Sequence, residues 1–180
     1  AVVQAFTSPP TLLLIGGGHI SKKIGDIAKT VGFRLWVVDD RPEFANSERF
    51  PDAEKTLVAG YKEGIEQLPV TSNTYITIAT RGHRLDDVAL EAAARSPASY
   101  VGLVGSKRKV VLIYKELLRR GIASKRLRSI HAPIGLNIGA QHPEEIAISI
   151  LAEILMAKLG GDGKPMLLSN DRLKSIKDSV

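Results

Sequence analysis

The sequence predicts an α/β fold: a mostly parallel, twisted sheet with helices on both faces, in three layers. Three observations predict it. Short apolar runs alternate with amphipathic segments of helical period along most of the chain. The first run breaks into three successive glycines, and the second ends in two aspartates. Strands joined through helices in that order pack most economically in parallel, with right-handed crossovers.

Each element follows from a local signal. Leu12 to Ile15 is a continuous apolar run, as suits a strand buried on both faces. From Ile20 the period changes, and Ile20, Ile24, Ile27, Ala28 and Val31 share one helical face before Gly32. Leu35 to Val38 is the second strand, closed by Asp39 and Asp40. Arg41 to Lys55 has no clear period and contains two prolines, which reads as a long connection, and Thr56 to Ala59 as a third strand. Tyr75 to Ala79 is the fourth, followed by a helix carrying Leu85, Val88, Ala89 and Ala92. Tyr100 to Val104 is the fifth. It leads into a helix expected to turn Val110, Val111, Ile113, Tyr114, Leu117 and Leu118 inward until Gly121. Leu127 to Ile130 reads as a sixth strand. A last long helix starts at Pro143, with Glu144 and Glu145 in its first turn, and runs to about Lys158 before Gly160. Residues 1–10 read as a linker, 11–160 as one Rossmann-like domain, and 161–180 as a polar tail.

Composition narrows the function. The 180 residues suffice for one domain with a real core. Absence of cysteine removes a disulfide framework, a thiolate metal site and a cysteine nucleophile from this sequence. No apolar run reaches the ~20 residues a bilayer requires, so no membrane span and a cytoplasmic setting are expected. Twenty-five Lys and Arg against 19 Asp and Glu give +6, and the stretch from Gly105 to Arg128 holds nine of the cations and one acid. That stretch is either a solvated helix face or a surface for an anionic ligand or acidic partner. Nucleic acid is not expected, because no reading motif is present and aromatic residues are scarce. The histidines at 19, 83, 131 and 142 lack paired ligand spacing, so no metal site is expected.

Four motifs carry chemistry. Gly16-Gly17-Gly18-His19-Ile20-Ser21 lies between a strand and a helix. Gly16 permits the turn, Gly18 lets a pyrophosphate approach the backbone, and Ser21 replaces the usual third glycine. Asp39 follows Gly16 by 23 residues, where a carboxylate accepts ribose hydroxyls. With Asp40 and Arg41 it points to NAD, and Arg41 leaves NADP open. The other reading is a vestigial turn. Thr80-Arg81-Gly82-His83 follows the fourth strand, where Thr80, Arg81 and His83 either line the ligand crevice or form a local turn. Gly105-Ser106-Lys107-Arg108 offers N–H groups, a hydroxyl and cations to a phosphate, or simply an N-cap at Ser106. The loop 131–139, with Pro133 and Gly135, is either shaped for a ligand or a return loop supporting the last helix. No catalytic residue is identified. The Tyr-xxx-Lys pair of short-chain dehydrogenases, a nucleophile elbow and a P-loop Lys are all absent.

These motifs, in this order, resemble the C-terminal Rossmann domain of the XdhC/CoxF family, over about residues 11–160. The most specific pieces are VVDDRPEFA (37–45) with ERFPDA (48–53), TRGHRLD (80–86), YVGLVGSKRK (100–109) and HAPIGLNIGAQHPEEIAISILAEI (131–154). The resemblance implies an accessory factor, or chaperone, for a molybdenum hydroxylase such as xanthine dehydrogenase or carbon monoxide dehydrogenase. Such a factor binds the molybdenum cofactor, a pterin phosphate or its dinucleotide form, and assists its sulfuration or insertion. The implied partners are the apo-hydroxylase and a separate cysteine-bearing N-terminal-type family domain; a homodimer is a further expectation, not drawn from the resemblance. Departures are Gly17 for the usual Ala, Arg81-Gly82 for His-Asp, and His142 for a capping Thr. An NAD(P)-dependent oxidoreductase, with His83 as proton donor, and a nucleotide-sensing regulatory domain are the alternatives.

Overall fold

A computed structural model describes residues 8–168, together with 172 and 177. Residues 1–7 of the expected linker and half of the expected tail at 161–180 therefore lie outside the described residues. Five strands, β1 (Thr11–Ile15), β2 (Arg34–Asp39), β3 (Ala53–Val58), β4 (Thr74–Ile78) and β5 (Tyr100–Leu103), form one sheet in the order β3-β2-β1-β4-β5. Every pairing is parallel. The chain begins in the centre, builds outward through β2 and β3, then returns to the other side of β1. Strand order thus reverses between β1 and β4, where an open α/β sheet leaves a crevice at its carboxyl ends.

Alternation along the strands sorts the core into two layers. Leu12, Leu14, Leu35 and Val37 face α1 (His19–Ala28) and α6 (Pro143–Leu159). Leu13, Ile15, Trp36, Val38, Ile76 and Ile78 face α2 (Tyr61–Gln67), α3 (His83–Arg95) and α4 (Lys107–Arg119). Because β1 is covered on both faces, all five of its residues are buried, and each apolar side chain there contributes about 1.5–3 kcal/mol.

Two expectations are corrected. Leu127 to Ile130 is not a strand: α5 (Ser124–Arg128) ends within it, Ser129 is its C-cap, and Leu127 and Ile130 are both buried. The backbone reaches the sheet only at His131, which pairs with Gly102 beside β5. Val111 and Leu118 are about half exposed, whereas Val110, Ile113 and Leu117 are buried. An edge strand offers α4 a narrower surface than a central one, so the flank of its apolar stripe is left over. That flank and Ala132-Pro133 form a groove of about 540 Å³. The sequence reading also missed α2. Among the described residues, no helix is long and apolar enough to cross a membrane.

Candidate functional site

The crevice at the reversal point is built from three strand-to-helix junctions. At the first, Gly16 takes φ +94°, and its N–H donates to the Val38 carbonyl at 2.8 Å. A Cβ at Gly16 would collide with the Ala79 carbonyl, so the turn requires glycine on both counts. Gly17 donates its N–H to Asp39 Oδ2 at 2.8 Å, and its carbonyl accepts from Arg49 Nε at 2.8 Å. The Phe44 carbonyl lies where a Cβ of Gly17 would go. Gly18 differs: it caps α1 with φ −65°, and a Cβ there would meet nothing within 4 Å.

Beyond Gly18 lies a cavity of about 370 Å³ lined by Gly18, His19, Ile20, Thr80, Gly105 and Lys109, together with Ala79 and Val104. Three motifs far apart in sequence therefore meet. The first-turn N–H groups of a helix have no acceptor within it and carry partial positive charge. The α1 first turn contains no acid and Gly18 offers no capping side chain. The α4 first turn contains Lys107, Arg108 and Lys109 and no acid. Cations at a helix N-terminus oppose its dipole, at a cost of some tenths of a kcal/mol each. Of the three, Lys109 lines the cavity, where an anion would relieve its share of that cost.

Thr80 and Lys109 are held by one buried carboxylate. The Thr80 hydroxyl donates to Asp86 Oδ1 at 2.7 Å, and the Lys109 ammonium pairs with Asp86 Oδ2. Asp86 is fully buried in the first turn of α3. The sequence reading foresaw neither Asp86 nor Lys109 in the site. The signal was there: three consecutive cations after Gly105-Ser106, one of them i+3 from the cap and so turned back toward the loop. Ser106 accepts the Lys109 N–H at 3.3 Å, and so acts as N-cap of α4 rather than lining the cavity. His83 opens α3, but its side chain lies outside the described residues.

On the other side of β1 the carboxyl end of β2 is occupied. Asp39 is fully buried, with Arg41 Nε 2.9 Å from Oδ1 and Arg41 Nη2 3.1 Å from Oδ2. Burial pushes the Asp39 carboxyl up, but hydrogen bonds from Arg41 and from the Gly17 N–H outweigh it and hold the pKa below the usual range. Asp40 accepts from Arg81 Nη2 at 2.9 Å and from the Tyr61 hydroxyl at 3.3 Å.

The fourth motif is elsewhere. Pro133 borders the groove beside α4. Gly135 takes φ +105° against the Ser149 hydroxyl, and its N–H donates to Glu153 Oε2 at 2.8 Å. Neither residue lines the cavity. Glu153, on α6, also accepts the Tyr100 hydroxyl at 2.7 Å and pairs with His131 Nδ1 at 3.2 Å. Burial raises the Glu153 pKa, but hydrogen bonds from His131, Gly135 and Tyr100 bring it below its ordinary value. This segment is a return loop pinned to α6.

A five-stranded parallel sheet, covered on both faces and turned by glycines at its reversal point, defines a Rossmann domain. The signature of the XdhC Rossmann domain matches residues 12–154, and the chain belongs to that family. It is 38% identical over 159 residues to the uncharacterized protein YqeB of Escherichia coli (strain K12), covering 88% of this chain and 29% of that protein. It is 28% identical over 157 residues to a probable xanthine dehydrogenase component of Bacillus subtilis (strain 168), covering 87% and 45%. Among solved structures it is similar to a xanthine dehydrogenase from Bacillus halodurans, with a TM-score of 0.74, 27% identity, and coverage of 86% and 46%. The chain thus spans less than half the length of these relatives.

Proposed function

We propose that this domain is the cofactor-holding part of an accessory factor for a molybdenum hydroxylase of the xanthine dehydrogenase type. In this reading it holds the phosphate end of the molybdenum cofactor and presents it for sulfuration or insertion. One observation carries the reading: the uncapped N-terminus of α1, Thr80, Gly105 and Lys109 line a single cavity. Family membership and the names of the relatives supply the partner class.

The residues fit that group by its phosphate. Gly18 leaves its backbone approachable, and Lys109 and Thr80 bring an ammonium and a hydroxyl to the same space. Backbone N–H groups with a lysine form a recurrent phosphate-binding set. Among the described residues, no cluster of His, Asp and Glu is placed to ligate a metal ion. The pterin phosphate is therefore the handle by which this chain would hold the cofactor. When bound, that cofactor supplies the oxygen-transfer chemistry of the hydroxylase; this chain binds and orients it. The expected setting is cytoplasmic, where such enzymes mature.

The test is calorimetric titration with inorganic pyrophosphate and with cofactor released from a molybdenum hydroxylase. Both should bind the wild type and be lost in Gly18→Glu, which places a carboxylate at the mouth. Co-purification with apo-xanthine dehydrogenase tests the partner. Equal heats from wild type and Gly18→Glu would overturn the site.

A further inference from the structure

The cleft has two halves, one on each side of β1, and they are not alike. In a dinucleotide-binding Rossmann fold the pyrophosphate lies over the glycine turn, and the acid ending the second strand takes the adenosine ribose. Here that second position is filled by the chain's own groups.

Arg41 lays its guanidinium along Asp39, at 2.9 Å and 3.1 Å, and adds its backbone N–H to Oδ1 at 3.1 Å. With the Gly17 N–H on Oδ2, both carboxylate oxygens are engaged, and none of Asp39 is exposed. The Arg41 guanidinium is itself covered by the Phe44 ring, 3.6 Å from its centroid, and the Phe44 carbonyl is seated on Gly17. Arg49 ties the same loop to the Gly17 carbonyl. Arg81 then crosses from the end of β4 to Asp40 at the end of β2. On the other side of β1 the space next to Gly18 is open.

A ribose hydroxyl is a neutral donor, and it cannot replace a bidentate guanidinium on a buried carboxylate. We infer that Arg41 and Arg81 set the ligand specificity of this cleft, excluding adenosine from the β2 side. They confine it to a ligand whose phosphate is a terminal group, lying toward β4 and β5: a phosphate monoester such as a phosphorylated pterin, not an adenine dinucleotide. The inference rests on the phosphate-binding reading given above.

The experiment compares inorganic pyrophosphate with ADP-ribose by titration on the wild type, Arg41→Gln, Arg81→Ala and the double variant. Wild type should bind pyrophosphate at least about tenfold more tightly than ADP-ribose. The ratio of ADP-ribose to pyrophosphate affinity should rise at least about tenfold in the double variant and in part in Arg81→Ala. Arg81 is half-exposed and does not touch Asp39, so its variant keeps the test open should Arg41→Gln fail to fold. Wild type binding ADP-ribose as tightly as the folded variants, or no rise in the ratio, overturns the exclusion alone. Failure of pyrophosphate to bind any of the proteins overturns the phosphate reading, and this inference with it.

Discussion

The Lys109 ammonium and the Thr80 hydroxyl are joined through one carboxylate, Asp86, which no solvent reaches. Two loops from different strands are thereby fixed at the mouth of the cavity. Removing one partner of a buried pair leaves the other uncompensated. Lys109→Met should therefore lower stability by about 2–4 kcal/mol in urea denaturation at neutral pH, and weaken pyrophosphate binding. The double variant Lys109→Met/Asp86→Asn should recover much of the stability but none of the affinity. Equal stability of Lys109→Met and wild type would contradict the pairing.

The three glycines should separate cleanly. Gly16→Ala combines a positive φ with a collision at the Ala79 carbonyl, and Gly17→Ala is driven into the Phe44 carbonyl. Each should cost about 2–4 kcal/mol. Gly18→Ala has ordinary φ and open space, so its stability should stay within about 0.5 kcal/mol of wild type. Its pyrophosphate affinity should nonetheless fall, because the added methyl stands where the ligand approaches. Thermal denaturation and titration of the same samples check both halves.

Asp39 makes a prediction about acid. Its pKa in the folded chain lies below the unfolded value of 3.8. The stability it contributes is therefore present above that unfolded value and is lost as pH falls through the folded one. Wild type should lose stability steeply below about pH 4. Asp39→Asn should start lower at neutral pH, by about 2 kcal/mol, and show a shallower acid slope. Parallel slopes for the two proteins would argue against the Arg41 and Gly17 contacts.

Glu153 tests the return loop. It accepts hydrogen bonds from Tyr100 and Gly135 and pairs with His131, so Glu153→Gln removes a charge from three contacts. Amide exchange at residues 131–136 should speed up at least about tenfold, which corresponds to about 1.4 kcal/mol of local stability. Exchange in β1 should be unaffected.

The parts legible in the sequence are those where one residue type has one physical use. Gly16 before a change of apolar period could only be a strand-to-helix turn, and it located β1, α1 and the mouth of the cleft. Pro143 with Glu144 and Glu145 located α6 in the same way. The α2 helix was illegible because its apolar residues are few and Gly64 sits in its interior. That glycine is needed since the Val38 side chain fills the place of a Cβ. Residues 127–130 misled because four residues are too few to tell strand from helix by period. Asp39 was legible as an acid at a strand end, but not as an acid already taken. Its partner Arg41 reads equally as a surface charge or an NADP contact until the fold turns it back.

The two edges of the sheet are guarded differently. β3 presents its outer side with Glu54 and Lys55 exposed along it. On β5 the segment after α5 supplies the missing neighbour: the His131 N–H donates to Val101, and the His131 carbonyl and the Leu103 carbonyl take the N–H groups of Leu103 and Ile134. A strand from another molecule could join β5 only by evicting that segment, whereas at β3 it would meet charge alone. Sheet extension by another strand is thus blocked sterically at one margin and discouraged electrostatically at the other.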